Sequence, residues 1–303
     1  MRILNIRCGD DLRGRIRGDY LSYVDPLCQG PVAGVPGSAA FIERRARFIA
    51  ANYGVTFAAA RERLRSELAG LEQARGYDRV ILWFEEDLCD QTILAFLLEW
   101  FARRRLAPGK LRIVQAATAL GWMDGPTLRR QRSRIVTPGL LAQGQAAWRA
   151  YGASDPRMLE GIALGDVPAP PFFADAAARH LEEFPWTRDG LSLTQRLALQ
   201  AIADGATTAG RAFALVQQAD PQPFLGDTMF FAIVRGLREA RSPALNENAI
   251  LTEFGRALLA GEADWVAENG IDRWLGGVHL CGSEARWRWD DGEERLVELY
   301  KAP

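Results

Sequence analysis

The chain has 303 residues, enough for two domains, and its 48% hydrophobic and 25% charged residues are ordinary for a globular protein. Basic and acidic side chains nearly balance at 37 and 38, and the two lysines, Lys110 and Lys301, exclude a phosphate-loop lysine. Two histidines, His180 and His279, leave little room for a histidine triad or a multi-histidine metal site. The chain contains no apolar run of the roughly 18 residues that span a membrane and opens on a predicted strand rather than a signal peptide, so we expect a cytoplasmic protein with no membrane partner.

Strands that alternate with helices predict a parallel, three-layer α/β fold for the first part of the chain. The predicted strands cover residues 1–7, 21–24, 80–84 and 111–114; one predicted helix begins at Leu12, and others cover residues 38–52, 56–75 and 93–101. The third strand is an unbroken apolar run, which is typical of a strand buried on both faces. We therefore predict a Rossmann-like domain over residues 1–137.

Acidic residues come directly after the first three predicted strands. The predicted ligand-binding residues are Asp10 after the first strand, Asp25 after the second, and Glu85, Asp87, Asp90 and Gln91 after the third. Ligands bind at the carboxyl edge of an open parallel sheet, because the loops diverge there and helix N-termini point into the crevice. Asp10, Asp25 and Asp87 are the predicted ligands of Mg²⁺ or another divalent cation.

The same acids also have structural explanations. Asp10 and Asp90 are natural helix N-caps, each stabilising by about 1 kcal/mol, and Asp25 precedes a proline, which is typical of a turn. For the whole set this explanation is weaker, because unit charges about 4 Å apart repel by roughly 1–4 kcal/mol at effective dielectrics of 80 to 20. Several facing carboxylates need a cation, hydrogen-bond donors or raised pKa values.

Three of the four cysteines, Cys8, Cys28 and Cys89, fall in the same loops as the acids. They are candidates for a zinc site completed by a carboxylate, or for a reactive thiol at a helix N-terminus. Free cysteines are more commonly buried as small apolar residues, which is the alternative explanation. The cysteines have no short paired spacing that would indicate a disulfide framework.

The second half of the chain is predicted to be largely helical. A helical connector over residues 138–187 includes a proline-rich linker at residues 166–171. Beyond it, three helices, a short turn region and a fourth helix resemble a winged helix over residues 188–303, with strand-like segments near residues 278–280 and 286–290. Residues 191–303 carry 11 basic and 16 acidic side chains, a net charge of −5, which argues against DNA binding and favours a scaffold or homo-oligomer role.

Several short motifs together resemble one protein family. They are Gly9-Asp10, Asp25-x-Leu27-x-x-Gly30-Pro31, Trp83-Phe84-Glu85-x-Asp87-Leu88-x-Asp90-Gln91, His180-Leu-Glu-Glu-Phe-Pro185 and Trp274-x-Gly-Gly-Val-His-Leu280. The set resembles the uncharacterised bacterial proteins catalogued as domain of unknown function 1835. The resemblance implies an identity without an activity. In that family the positions of Cys8, Cys28, Glu86 and Cys89 often carry Asn, His, His and Tyr, so this chain departs where side chains could act as ligands or bases.

The leading hypothesis is that the protein binds a small phosphorylated or nucleotide-like ligand and a divalent cation at the acidic edge. Metal-assisted hydrolysis is the enzyme class that these residues contradict least. The alternative is a transcription-associated or adaptor protein that acts through the winged-helix-like region.

Overall fold

The computed structural model describes residues 1–299, which fold into ten strands, twelve α-helices and two short 3-10 helices. The strands are β1 (Ile3–Arg7), β2 (Asp19–Ser22), β3 (Gly30–Pro31), β4 (Arg79–Glu85), β5 (Leu111–Ala116), β6 (Arg134–Ile135), β7 (Ile271–Gly276), β8 (Val278–Gly282), β9 (Trp287–Asp290) and β10 (Arg295–Glu298). The helices are α1 (Ala39–Tyr53), α2 (Phe57–Glu72), α3 (Leu88–Arg104), α4 (Gly125–Arg130), α5 (Pro138–Tyr151), α6 (Arg157–Ala163), α7 (Phe173–Leu181), α8 (Leu193–Ala203), α9 (Ala209–Ala219), α10 (Asp227–Glu239), α11 (Glu253–Ala260) and α12 (Trp265–Asn269). None of the helices in this part of the chain is both long and apolar enough to cross a bilayer.

The central sheet has five strands in the order β2-β1-β4-β5-β6. The first four strands are parallel neighbours and β6 is antiparallel, which confirms the predicted α/β class with a largely parallel sheet. β2 begins two residues earlier than predicted. The helix predicted from Leu12 is wrong, since residues 10–18 form turns. Gly14 and Gly18 have φ angles of 76° and 114° there, a conformation that a right-handed helix does not contain.

β4 is buried on both faces, as its apolar run predicts. Leu82 and Phe84 join the main core, which α3 covers. Trp83 points to the opposite face and packs with Val114 in a smaller cluster. The alternation places both faces of the strand out of water, so this strand fixes the middle of the sheet.

α3 begins immediately after β4. The Asp87 side chain accepts the Asp90 backbone N–H at 3.0 Å, so Asp87 is the N-cap and the prediction of Asp90 in that role is wrong. Asp90 lies one turn in, where its carboxylate is free to contact β1 and β4. α3 also packs closely against α5, because Gly144 has no side chain to meet Leu98.

The later helices cover part of the carboxyl edge of the sheet. α8, α9 and α10 surround a second core that reaches Cys28, in a loop at that edge, and Leu88, the first residue of α3. β8 is the strand predicted near residues 278–280, and β9 is the one predicted near residues 286–290. β7, which was not predicted, pairs antiparallel with β8 and in parallel with Gly30 and Pro31 of β3. β9 and β10 form a separate hairpin. The boundaries at residues 137 and 187 stay a prediction.

Candidate functional site

The carboxyl ends of β1 and β4 bring a basic and an acidic residue together. Arg7, the last residue of β1, lies beside Trp83 in the register of the two parallel strands, and Glu85 ends β4 two residues later. This register follows from the apolar run of each strand. Arg7 and Glu85 therefore lie at the same edge of the sheet, and their side chains form an ion pair.

Three carboxylates form a compact group at this edge, which we call the acidic cluster: Glu85, Asp87 and Asp90. One oxygen of each lies within 4.8 Å of an oxygen of the other two. The buried Arg7 guanidinium binds Glu85 and Asp90 directly and also reaches Asp11, whose Oδ2 lies 3.2 Å from Arg7 Nη2. The three carboxylates of the cluster and that of Asp11 thus lie around one guanidinium.

Backbone donors hold the cluster in place but leave part of it uncommitted. Glu85 Oε1 accepts the Leu120 N–H at 2.7 Å, and Asp90 Oδ2 accepts the Glu85 N–H at 2.6 Å. The second oxygens, Glu85 Oε2, Asp87 Oδ2 and Asp90 Oδ1, make no hydrogen bond within residues 1–299. Three carboxylate oxygens are therefore available to a hard cation.

Electrostatics in the cluster favour an added positive charge. Burial raises the pKa of Glu85, Asp87 and Asp90, and neighbouring carboxylates raise each pKa further, while Arg7 lowers it. A raised pKa means that the ionised form is destabilised where it lies. A bound cation would reverse this effect and release protons from the cluster.

Gln91 supports the cluster from the next position of α3. Its side chain is fully buried, and its amide nitrogen donates to the Glu85 backbone carbonyl. The amide oxygen has no hydrogen-bond partner within residues 1–299. An unpaired buried acceptor costs about 1–3 kcal/mol, so the Gln91 side chain lowers the stability of the folded protein.

Asp10 and Asp25, the other two predicted metal ligands, lie away from the acidic cluster. Asp10 is exposed and pairs with Arg13 at 2.6 Å; with no helix beginning there, the predicted N-cap role of Asp10 is wrong. Asp25 is fully buried and binds Arg45, also fully buried, with Nη2 at 2.6 Å and Nε at 2.9 Å. Of the predicted ligands Asp10, Asp25 and Asp87, the structure brings only Asp87 to the group of three.

The three cysteines of these loops form a chain of contacts. The Cys89 thiol lies next to the thiols of Cys8 and Cys28. Interaction with Cys89, and then burial, raises the pKa of Cys8; interaction with Cys28, and also burial, raises the pKa of Cys89, while Cys8 lowers it. Cys28 is buried and Cys8 and Cys89 are half-buried, so all three pack as small side chains at this edge of the sheet.

Sequence reasoning missed the basic partners, Arg7 and Arg45. Arg7 had a usable signal, because a charged residue that ends an otherwise apolar strand must find a partner at the sheet edge. Arg45 had none, since its position in a helix rich in arginine resembles a solvated face. Comparison with protein family models and with curated protein sequences gives no match for this chain. The family resemblance of the sequence therefore stays a prediction.

Proposed function

We propose that this protein binds a divalent cation, together with a small phosphorylated or nucleotide-like ligand, at the acidic cluster. The observation that carries the proposal is the set of three carboxylates within 4.8 Å of one another, each with an uncommitted oxygen. Mg²⁺ is typically held by one or two carboxylates, and the ligand phosphates and water complete its six positions. Metal-assisted hydrolysis is the reaction class that such a site supports.

The proposal includes a finer description of the fold. The parallel strands β2-β1-β4-β5, with the acids at their carboxyl ends, support a Rossmann-like domain. In the carboxy-terminal part, α8–α10 are followed by an antiparallel bridge between Leu245 and Leu251 and then by α11, which supports a winged-helix-like region.

The alternative function is that of a transcription-associated or adaptor protein acting through the winged-helix-like region, and its DNA-binding form receives less support. α10 would be the recognition helix, yet it packs against α1, and Arg235 donates to the Asn52 carbonyl at 3.0 Å. Arg238 pairs with Glu239 beside it. A recognition helix needs free basic side chains toward the phosphates, so the cation site is the better candidate.

Calorimetric titration tests the proposal. Mn²⁺ and Mg²⁺ are titrated into the wild-type protein and into Asp87→Asn, with and without ADP. We expect binding to wild type and about tenfold or greater weakening in the variant, because a charged oxygen ligand is lost. The heat should depend on the buffer, since binding releases protons from carboxyl groups with raised pKa values.

Asp10→Asn is the matched control. It makes the same chemical change in an exposed aspartate that pairs with Arg13 outside the cluster. The control should bind the cation like wild type. Absence of binding to wild type, or equal weakening in both variants, would remove the acidic cluster as the site. If a nucleotide binds, Mn²⁺-dependent release of phosphate shows whether binding leads to hydrolysis.

A further inference from the structure

A cavity of about 290 Å³ lies where the carboxy-terminal part meets the α/β part. We call it the junction cavity. Its walls are the loop at Cys28–Gly30, the end of α1, one face of α10 and strand β7. None of the acidic cluster residues lines it. At the lower end of the usual range of ligand pockets, this volume suits a molecule of one or two rings.

Aromatic side chains form part of the lining of the junction cavity. Phe48, Phe224 and Trp274 all line it. The Trp274 indole is held by His279, whose ring stacks on it at 4.3 Å between centroids with an interplanar angle of 4°. Cross-strand pairing of these two residues between β7 and β8 fixes this arrangement. Such walls favour a planar occupant.

Neutral amides supply the free hydrogen-bonding groups. Gln29 accepts the Tyr53 hydroxyl through Oε1, and Gln195 accepts the Ser192 N–H through Oε1 at 2.9 Å. Both therefore leave their amide nitrogens without a hydrogen bond within residues 1–299. Asn52 donates to the Phe48 carbonyl at 2.8 Å, which leaves its Oδ1 as a free acceptor. The lining residues thus carry two amide donor groups and one acceptor that the fold does not use.

Charged groups at the cavity are already paired. Burial would raise the pKa of Glu183, but Arg179 and Arg273 outweigh it and lower that pKa to about 2. Arg273 binds Glu183 Oε2 at 2.7 Å, and Arg179 binds Oε1 at 3.0 Å. Asp272 is exposed and holds His279 Nε2 at 2.8 Å. The lining therefore has no unbalanced buried charge that would select an ion.

Gly236 lies at the exposed rim of the cavity, inside α10. A glycine inside a helix costs roughly 0.5–1 kcal/mol relative to alanine. Packing does not require it here, because a Cβ at this position would meet no atom within 4 Å. Without a side chain at residue 236, the rim of the junction cavity stays open at this point.

We infer that the junction cavity binds an uncharged, planar heterocycle of nucleobase size, through stacking on its aromatic walls and hydrogen bonds to Gln29, Asn52 and Gln195. This site is separate from the cation site and does not depend on the proposed function. Nucleobases carry adjacent donors and acceptors on a flat ring, which is the chemistry that the walls and the free amide groups complement.

Calorimetric titration with adenosine, guanosine, cytidine and uridine in EDTA tests this inference. These nucleosides are uncharged at pH 7, and EDTA removes any contribution from the cation site. At least one nucleoside should bind the wild-type protein. Gly236→Trp, which places an indole over the rim, should weaken that binding at least tenfold, whereas Gly236→Ala should leave it within about twofold.

Gly236→Ala controls for the change in helix propensity, and thermal unfolding of both variants checks that they fold. Asp87→Asn should keep nucleoside affinity, so failure at one site is distinguishable from failure at the other. The inference is overturned if none of the four nucleosides binds wild type, or if the one that binds has equal affinity for Gly236→Trp.

Discussion

Three arginines set the charge of the interior. Arg7 neutralises part of the acidic cluster, Arg45 pairs with Asp25, and Arg179 binds Asp220 in a bidentate contact with nitrogen–oxygen distances of 2.9 and 2.8 Å. Removing one partner of such a buried pair costs about 3–5 kcal/mol, although replacing both partners together is often neutral. Asp25 therefore stabilises the fold rather than binding a ligand.

Glu67 gives a prediction at the scale of one residue. It is buried in α2, and burial, followed by the charge of Asp25, raises its pKa to about 8 from a usual value of 4.5. The folded state therefore holds this proton more tightly than the unfolded state, so the stabilisation is complete below pH 4.5 and is lost as the pH rises to 8. Between pH 5 and 8.5, the free energy of unfolding should therefore fall by about 2–4 kcal/mol less in Glu67→Gln than in the wild-type protein.

Urea unfolding at those two pH values measures the effect. Glu62→Gln is the control, because Glu62 lies exposed on the same helix. The control should keep the pH dependence of wild type. If Glu67→Gln shows the same decline as wild type, the carboxyl group of Glu67 ionises in the folded state much as it does in the unfolded chain.

At the scale of elements, α3 organises the molecule. It connects the central sheet, through β4, to α5 and α7, and nearly all its residues are buried. Its contact with α5 depends on Gly144, since a Cβ there would overlap the Leu98 side chain. Two helices that approach this closely fix each other's position with little freedom to adjust.

We expect Gly144→Ala to destabilise the protein by about 1–3 kcal/mol despite the higher helix propensity of alanine, because the helices must move apart. Gly161→Ala is the matched control. Gly161 lies inside α6. A Cβ added there would lie 3.6 Å from the Val167 side chain, which is an ordinary contact distance. That control should stabilise by about 0.5–1 kcal/mol. Equal effects in urea unfolding would contradict the packing argument.

Local patterns predicted β4 to within one residue at each end, because its apolar run is encoded locally. They predicted that a helix follows, but α3 begins five residues before and ends three residues after the predicted range of 93–101. The parallel class also followed from the alternation of strands and helices. Local patterns did not predict whether Asp87 or Asp90 is the N-cap, because aspartate is favourable at that position in either case. The structure uses Asp87 as the N-cap and pairs Asp90 with Arg7. Likewise, the Asp25–Arg45 pair joins a turn to a helix, and no short-range pattern encodes that pairing.

At the scale of the whole molecule, one core joins the beginning and the end of the described chain. It includes Leu4 of β1 and Leu296 of β10. β3 finds its partner in β7, so the amino-terminal part completes a sheet with the carboxy-terminal part. Extensive sharing of a core couples the stability of the parts that share it.

Unfolding in urea should therefore be a single transition. Tryptophan fluorescence sums the signals of nine tryptophans, among them Trp83 in the sheet and Trp287 in the last hairpin, and should change at the same urea concentration as far-ultraviolet circular dichroism. The Leu296→Ala variant should lower both midpoints together. Two separated midpoints would instead support independent domains with boundaries near residues 137 and 187.

The pairing of β3 with β7 also bears on how the chain is made. A ribosome releases about 5–20 residues each second, so the segment with Gly30 emerges well before Leu275, its partner. Until then the Cys28 thiol and the aromatic rings of α1 have no cover from α10 and β7. Until Leu275 is released, the nascent chain therefore exposes an apolar surface that α10 and β7 later cover.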